Sequence, residues 1–270
     1  MIRRCPSTVS GSEAGHSIGL AMIDPLVLLS LAGVGMLAGF VDAVAGGGGM
    51  IGLPALLATG IPPVAALATN KMQSIVGTLM AATTYWRRGF VDIRKLLPAV
   101  VVTFFGSMLG ALAVSAIDVT LLKIAVPVAL IAIALYFLFA PKLSDADKVA
   151  RLPEHIFIPA MGFLIGFYDG IFGPGTGSFL SIGFVLLFGF GLTRATGSTK
   201  VLNCVSNLAA LFIFIPQGHV VWAFAIAMAI GQLVGGYAGA RTGIRFGARL
   251  IRPLVVVVSI ALAIKLLFFP

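Results

Sequence analysis

Two stretches of this chain set an acid, a glycine-rich break and a lysine inside otherwise apolar sequence. In the first, Asp42 precedes Gly46, Gly47, Gly48 and Gly49, and Ala68-Thr69-Asn70-Lys71 follows. In the second, Asp169 precedes Gly173-Pro174-Gly175, and Thr196, Thr199 and Lys200 follow. A carboxylate at the centre of a membrane helix costs roughly 2.5–3.5 kcal/mol on insertion scales, so each acid needs a compensating role. One reading is a proton carrier; the other is an acid that caps a broken helix or pairs with lysine as static architecture. The glycine clusters release the backbone from helical geometry. They would expose N–H groups and half-helix N-termini, which favour anions, or simply allow close helix packing. Lys71 and Lys200, each read as lying in a Thr-rich turn that opens an apolar helix, would counter an anion directly or snorkel to the interface. Thr69, Asn70, Gln73, Thr196, Thr199, Asn203 and Asn207 supply neutral hydrogen bonders, several of them between helices.

The elements that must hold these residues are membrane helices. Hydrophobic residues make up 59% of the chain and charged residues 10%, and the mean hydropathy is +1.10. A water-soluble fold would lack a polar surface, so the chain is read as an integral membrane protein. Its apolar runs are continuous and do not alternate, which selects a helical bundle over an outer-membrane barrel. The net charge of +9 sits mainly in short connections, as orientation signals, not as a nucleic-acid surface. Cys5 and Cys204 share no short spacing, so neither a disulfide nor a metal site is indicated, and no cofactor is expected. Gly47, Gly49 and Gly52 fit GxGxxG without the strand and soluble βαβ unit that a dinucleotide needs. His16, His155 and His219 are isolated and receive no role. Arg194 reads as a loop anchor, and Tyr85, Trp86 and Trp222 as interface aromatics.

Residues 1–22 are polar and are expected to be a disordered extension ahead of an N-terminal repeat, 23–140. The first run, about Pro25 to Ala45, ends in Asp42 and the four glycines. Met50 to Thr59 is too short to span, and Gly60, Pro62 and Pro63 close it, which predicts a half-helix hairpin or a short broken span. A helix from near Pro62 to about Trp86 comes next. After a basic connection at 87–95, Leu96 to about Ile117 spans, and Leu121 to Ala140 spans again. Residues 141–155 are the polar linker. The C-terminal repeat, 156–270, follows the same plan: Ile156 to Phe172, the break, Ser178 to Leu192, Lys200 to Ile215, Val220 to Ala240 and Pro253 to Phe268. Asp42 matches Asp169, Lys71 matches Lys200, and Gly106 and Gly110 match Gly235 and Gly239. The connection near Gly89 holds four Lys/Arg and its counterpart near Gly218 none, whereas Arg241, Arg245, Arg249 and Arg252 answer a turn holding only Lys123. Equivalent loops therefore fall on opposite sides. The fold expected is all-α, with two inverted-topology repeats of about five segments each and glycine-broken half-helices or hairpins near the midplane. Loops 87–95, 141–155 and 241–252 are cytoplasmic by the positive-inside rule.

At these residues the chain resembles the TauE/SafE sulfite-exporter family, the TSUP permeases. The resemblance covers about residues 24–268. It rests on Gly39-Phe40-Val41-Asp42 leading into Gly46 to Gly49, Pro54, Gly60-Ile61-Pro62-Pro63, Ala68-Thr69-Asn70-Lys71, and Gly166-Phe167-Tyr168-Asp169-Gly170 with Gly173-Pro174-Gly175. It implies a bacterial inner-membrane permease for sulfite, sulfonates or related organosulfur anions that uses the proton gradient. The site expected is Gly46, Gly47, Gly48, Gly49, Thr69, Asn70, Lys71, Gly173, Gly175, Thr199, Lys200 and Asn203 for the anion, with Asp42 and Asp169 for protons. Partners are the anion, protons and the lipid bilayer, with a second copy of the chain as a candidate. A passive anion channel would use the same residues. An intramembrane aspartyl protease is the enzyme-class rival, on Tyr168-Asp169 with Asp42, although the Gly-x-Gly-Asp arrangement of such proteases is missing.

Overall fold

The computed structural model describes residues 24–117 and 145–247, with isolated positions 120, 121 and 128. The expected extension 1–22 and the expected spans Leu121 to Ala140 and Pro253 to Phe268 lie outside the described residues. The described chain is all-helical: α1 Pro25–Ala45, α2 Gly48–Ala58, α3 Pro63–Arg87, α4 Ile93–Ser115, α5 Glu154–Ile171, α6 Thr176–Phe188, α7 Leu192–Phe214 and α8 Trp222–Phe246.

Local chemistry sets the boundaries. The Asp24 carboxylate accepts from the Leu26 N–H at 2.8 Å ahead of Pro25, a cap followed by a first-turn proline. Asp92 does the same for α4 through the Lys95 N–H. Gly46 ends α1 in the left-handed region, at φ 78°. Gly189 ends α6 likewise, so that helix stops short of Leu192, where α7 already begins.

Among the described residues four helices, α1, α4, α7 and α8, are long and apolar enough to cross a membrane. Helices α2 and α6, at 11 and 13 residues, are too short. Each turns back from its predecessor at a glycine break. Gly35 on α1 and Gly52 on α2 both lie against Met228 of α8, as the arms of one hairpin. The α5–α6 pair turns at Gly173 and Gly175, both at positive φ. The two tips meet. A Cβ on Gly46 would strike the backbone of Gly177, and one on Gly49 would sit 3.2 Å from the Cα of Pro174.

Around these tips the halves exchange partners. Helix α1 packs on α8 and α5 on α4, while α3 and α7 run together through the middle. Small residues make the exchange possible. A Cβ on Gly235 or Gly239 would meet the carbonyls of Met36 or Phe40, and one on Gly106 or Gly110 those of Phe163 or Phe167. Where lipid is as apolar as the core, such close backbone approach is what selects the contact. The outer surfaces carry Leu97, Val101 and Phe105 of α4 and Ile226, Ile230 and Leu233 of α8, all exposed.

One end of the bundle gathers the basic connections. The Lys148 N–H donates to the Gly189 carbonyl at 2.7 Å, Asp145 accepts from Thr193, and Gly247 borders Asp145. Arg88, Arg241 and Arg245 line a shared groove there. The expected loop 241–252 is helical as far as Phe246, so Arg241 and Arg245 ride on the last turns of α8.

Adjacent glycines on α1 separate packing from propensity. Gly35→Ala drives a methyl into the backbone of Met228, with an expected loss of about 1–3 kcal/mol. A Cβ at Gly33 meets nothing within 4 Å, so Gly33→Ala is neutral or stabilising by up to about 1 kcal/mol. Thermal unfolding of both variants in detergent checks the contrast.

Candidate functional site

Helix α3 carries Lys71, and α7 carries Lys200, in their interiors. Lys71 lies inside the helix expected from near Pro62, whereas for Lys200 the expected placement at a helix-opening turn is corrected, because α7 starts at Leu192. Snorkelling is also excluded, because Lys71 and Lys200 are 1% and 0% exposed. Each lysine instead meets the acid of the other half. Lys71 Nζ lies 2.6 Å from Asp169 Oδ2, and Lys200 Nζ lies 2.9 Å from Asp42 Oδ2.

Each acid also serves the short helix that follows it. Asp42 Oδ1 accepts from the Gly48 N–H, the start of α2, at 3.3 Å. Asp169 Oδ1 accepts from the hydroxyl of Thr176, the first residue of α6, at 2.7 Å, and its Oδ2 from Ser206. A carboxylate beside a helix N-terminus is favoured by the dipole. The capping and pairing readings of the acids are thus both realised. At the first break the Gly48 N–H, and at the second the Thr176 hydroxyl, are engaged by the protein's own carboxylates.

Glycines let these groups approach. A Cβ at Gly48 would collide with the Asp42 side chain, and one at Gly173 would sit 3.3 Å from Lys71 Nζ. Asn70 accepts from Gln73 Nε2 at 2.9 Å, and its own Nδ2 would lie 3.6 Å from a Cβ on Gly49. Asp42, Gly46, Gly48, Gly49, Asn70, Lys71, Asp169, Gly173 and Lys200 therefore surround the meeting tips. Gly47 and Gly175 are the N-cap residues of α2 and α6.

Other expected ligands bond to the protein's own groups, Thr69 to the N-cap of α8, Thr199 to α6 and Asn203 within α7. Thr69 Oγ1 accepts from the Val221 N–H at 3.0 Å, Thr199 accepts from Ser181 at 3.1 Å, and Asn203 accepts from Asn207 at 3.4 Å. Tyr85 is corrected from interface aromatic to core: it is fully buried and donates to the Ala43 carbonyl at 3.2 Å. Trp86 and Trp222 are half exposed. Arg194 lies in the first turn of α7, over the Phe190 ring and 3.6 Å from Asp147, an anchor as expected. Thr176 and Ser206 escaped the sequence reading. Thr176 carried a signal, as the first hydroxyl after the Gly173-Pro174-Gly175 break; Ser206 carried none, since only the approach of α5 to α7 brings it to Asp169. Among the described residues no group of His, Cys, Asp and Glu is arranged to hold a metal.

Glycine-broken hairpins meeting at buried, oppositely charged side chains in a helical membrane bundle are the build of a membrane transporter. The comparisons with known proteins agree and are more specific. The family described as "Sulfite exporter TauE/SafE" matches residues 31–266. A "Probable membrane transporter protein ORF9" of Sinorhizobium sp is 46% identical over 234 residues, covering 87% of this chain and 90% of that protein. The "Probable membrane transporter protein YfcA" of Escherichia coli K12 is 43% identical over 249 residues, 92% of this chain and 93% of its own length. A "Probable membrane transporter protein" of Haemophilus influenzae is 43% identical over 246 residues, covering 91% and 96%. No solved structure matches. The chain belongs to the TauE/SafE sulfite exporter family.

Removing one member of a buried pair leaves an uncompensated charge, at a cost of about 3–5 kcal/mol, whereas removing both is far cheaper. Lys71→Met and Asp169→Asn are each expected to destabilise strongly, and the double variant to regain most of the loss. A double-mutant cycle on thermal unfolding reads this, and simple additivity would contradict the pairing.

Proposed function

We propose that the protein is a proton-coupled secondary transporter of small sulfur-containing anions, such as sulfite or a sulfonate, in the inner membrane, working by alternating access. The observation that carries this reading is the crossed pairing of Lys71 with Asp169 and Lys200 with Asp42 where the hairpin tips meet. A lysine held by a carboxylate is a site for an anion once the carboxylate lets go. An arriving anion takes the ammonium, and the displaced acid, left charged away from water, takes up a proton. One negative charge and one proton enter together, so the interior keeps its charge balance.

Because each pair joins the two halves, releasing one loosens the contact between hairpins. Restoring it on the other side after anion and proton leave would return the halves to register, as rocking of inverted repeats requires. Asn70 and the backbone at Gly49 and Gly173 would orient the anion oxygens. For the protease reading, a proton shared between two carboxylates would be needed; the polar partners of Asp42 and Asp169 among the described residues are lysines, hydroxyls and a backbone N–H.

Proteoliposomes loaded with labelled sulfite, sulfoacetate or thiosulfate, with and without an imposed pH gradient, test the reading. Flux of at least one anion should follow the gradient. Asp42→Asn with Lys200→Gln, which removes a whole pair, should remain folded and lose flux by about 100-fold or more, the scale of roughly 3 kcal/mol of lost site interaction. Flux indifferent to the gradient would leave a passive channel, and full flux in the paired variant would remove the pair from the mechanism.

A further inference from the structure

We propose that the first turns of α4, α5 and α7 frame a vestibule that binds small oxyanions at the basic end of the molecule, outside the central pairs. This rests on the anion-transport reading above. A cavity of about 380 Å³ opens there, and Arg94, Lys95 and Arg194 line it. Two carboxylates, Asp92 and Glu154, share the wall. Asp92 is already committed to the N-cap of α4 and lies 3.9 Å from Lys95 Nζ. Among the lining side chains the balance is one excess cation, with Asp147 outside the lining, and the positive ends of three helix dipoles add to it. Arg194 is held 3.6 Å from Asp147, an exposed pair of the kind that contributes little and can be exchanged for another anion.

The other half of the chain supplies an internal control. Positions 129 residues away from Arg94, Lys95 and Arg194 hold Ala223, Phe224 and Ala65. Phe224 is buried there, within an apolar cluster. Thr69, the counterpart of Ser198, accepts from the N–H of Val221, the counterpart of Asp92, and ties that mouth shut. The corresponding Ser198–Asp92 bond is not made among the described residues, and both line the cavity instead. One mouth is thus apolar and closed, the other basic and open.

A positive-inside bias asks only for basic residues at this end, not for three around one cavity. The floor defines the role. Leu96 and Ile158, which line the cavity, belong to one buried apolar cluster with Leu202. That layer keeps the anion out of contact with the lysine–acid pairs until the halves move, so the vestibule concentrates anions ahead of a closed gate.

Thiol labelling tests this without relying on transport. In the full chain with Cys5 and Cys204 changed to Ser, Ser198→Cys is treated with sulfonatoethyl or trimethylammonioethyl methanethiosulfonate. The anionic reagent should be favoured about 10-fold over its ratio on a small thiol in solution. Arg94→Gln, Lys95→Gln and Arg194→Gln together should erase the preference, and methanesulfonate should slow labelling. A ratio equal to that of the free thiol, or one unchanged by the three substitutions, overturns the vestibule. A preference that depends on those residues but is protected only by anions without sulfur supports the vestibule and counts against the sulfur-anion substrate. If Ser198→Cys fails to fold, Arg194→Gln decides: KM for flux from the basic end should rise several-fold with kcat unchanged and the opposite direction unaffected, and an unchanged KM overturns the proposal.

Discussion

Among the described residues the buried charges are two lysines and two carboxylates, and each lysine is paired with the acid of the other half. Lys71 needs Asp169, and Lys200 needs Asp42. Burying an ion without a partner costs several kcal/mol, so this constraint acts on the whole fold. It requires α3 and α7 to run side by side, and it requires both hairpin tips to reach the centre. The tips reach it only because Gly46 and Gly177 carry no side chains at their contact. It also explains the exchange of outer helices, since α1 brings Asp42 to α7 while leaning on α8, and α5 brings Asp169 to α3 while leaning on α4.

Much of this was legible in the residues. Continuous apolar runs announced helices in lipid, and Gly46 to Gly49 and Gly173-Pro174-Gly175 announced the breaks, because glycine clusters and proline release the helical backbone. The start near Pro25 followed from the onset of the apolar run, and a start near Pro62, one residue ahead of the observed Pro63, from first-turn proline. The start of α7 was missed. Thr193, Thr196, Ser198 and Thr199 look like a polar turn in sequence, yet in the structure they are buried helical residues: Thr193 donates to Asp145, Thr196 to the Leu192 carbonyl of its own helix, Thr199 accepts from Ser181 of α6, and Ser198 lines the vestibule. A polar run facing the inside of a membrane protein cannot be told from a loop by hydropathy, since hydropathy reports composition and not direction. The same blindness hid which acid each lysine meets. Spacing showed four charges in two matched sets, but a pairing between halves is a property of packing, and the intuitive pairing within a half is not the one made.

Correspondence between the halves is close at the pairs and loose around them. Asp169 accepts from two hydroxyls besides its lysine, Thr176 and Ser206, whereas Asp42 accepts from one backbone N–H. Gly77 stands where Ser206 stands in the other half, and Gly236 where Ser107 donates to the Ser206 carbonyl at 2.6 Å. Two hairpins with the same charges but different hydrogen-bond shells are not interchangeable, and a cycle that opens them in turn would open them with different ease. The vestibule proposed at the basic end would extend that inequality to the surface.

The central claim is that an anion and a carboxylate compete for a buried lysine, with a proton making up the difference. Proton uptake on binding tests it most directly. Purified protein in a weakly buffered solution is mixed with a fully ionised sulfonate that binds it, and the pH is followed with an indicator dye. Partner exchange at one buried pair predicts that the solution turns more alkaline, by about one proton per anion bound. Binding of the anion with no proton taken up would contradict the account, because the displaced carboxylate would then have to remain charged and alone inside the protein.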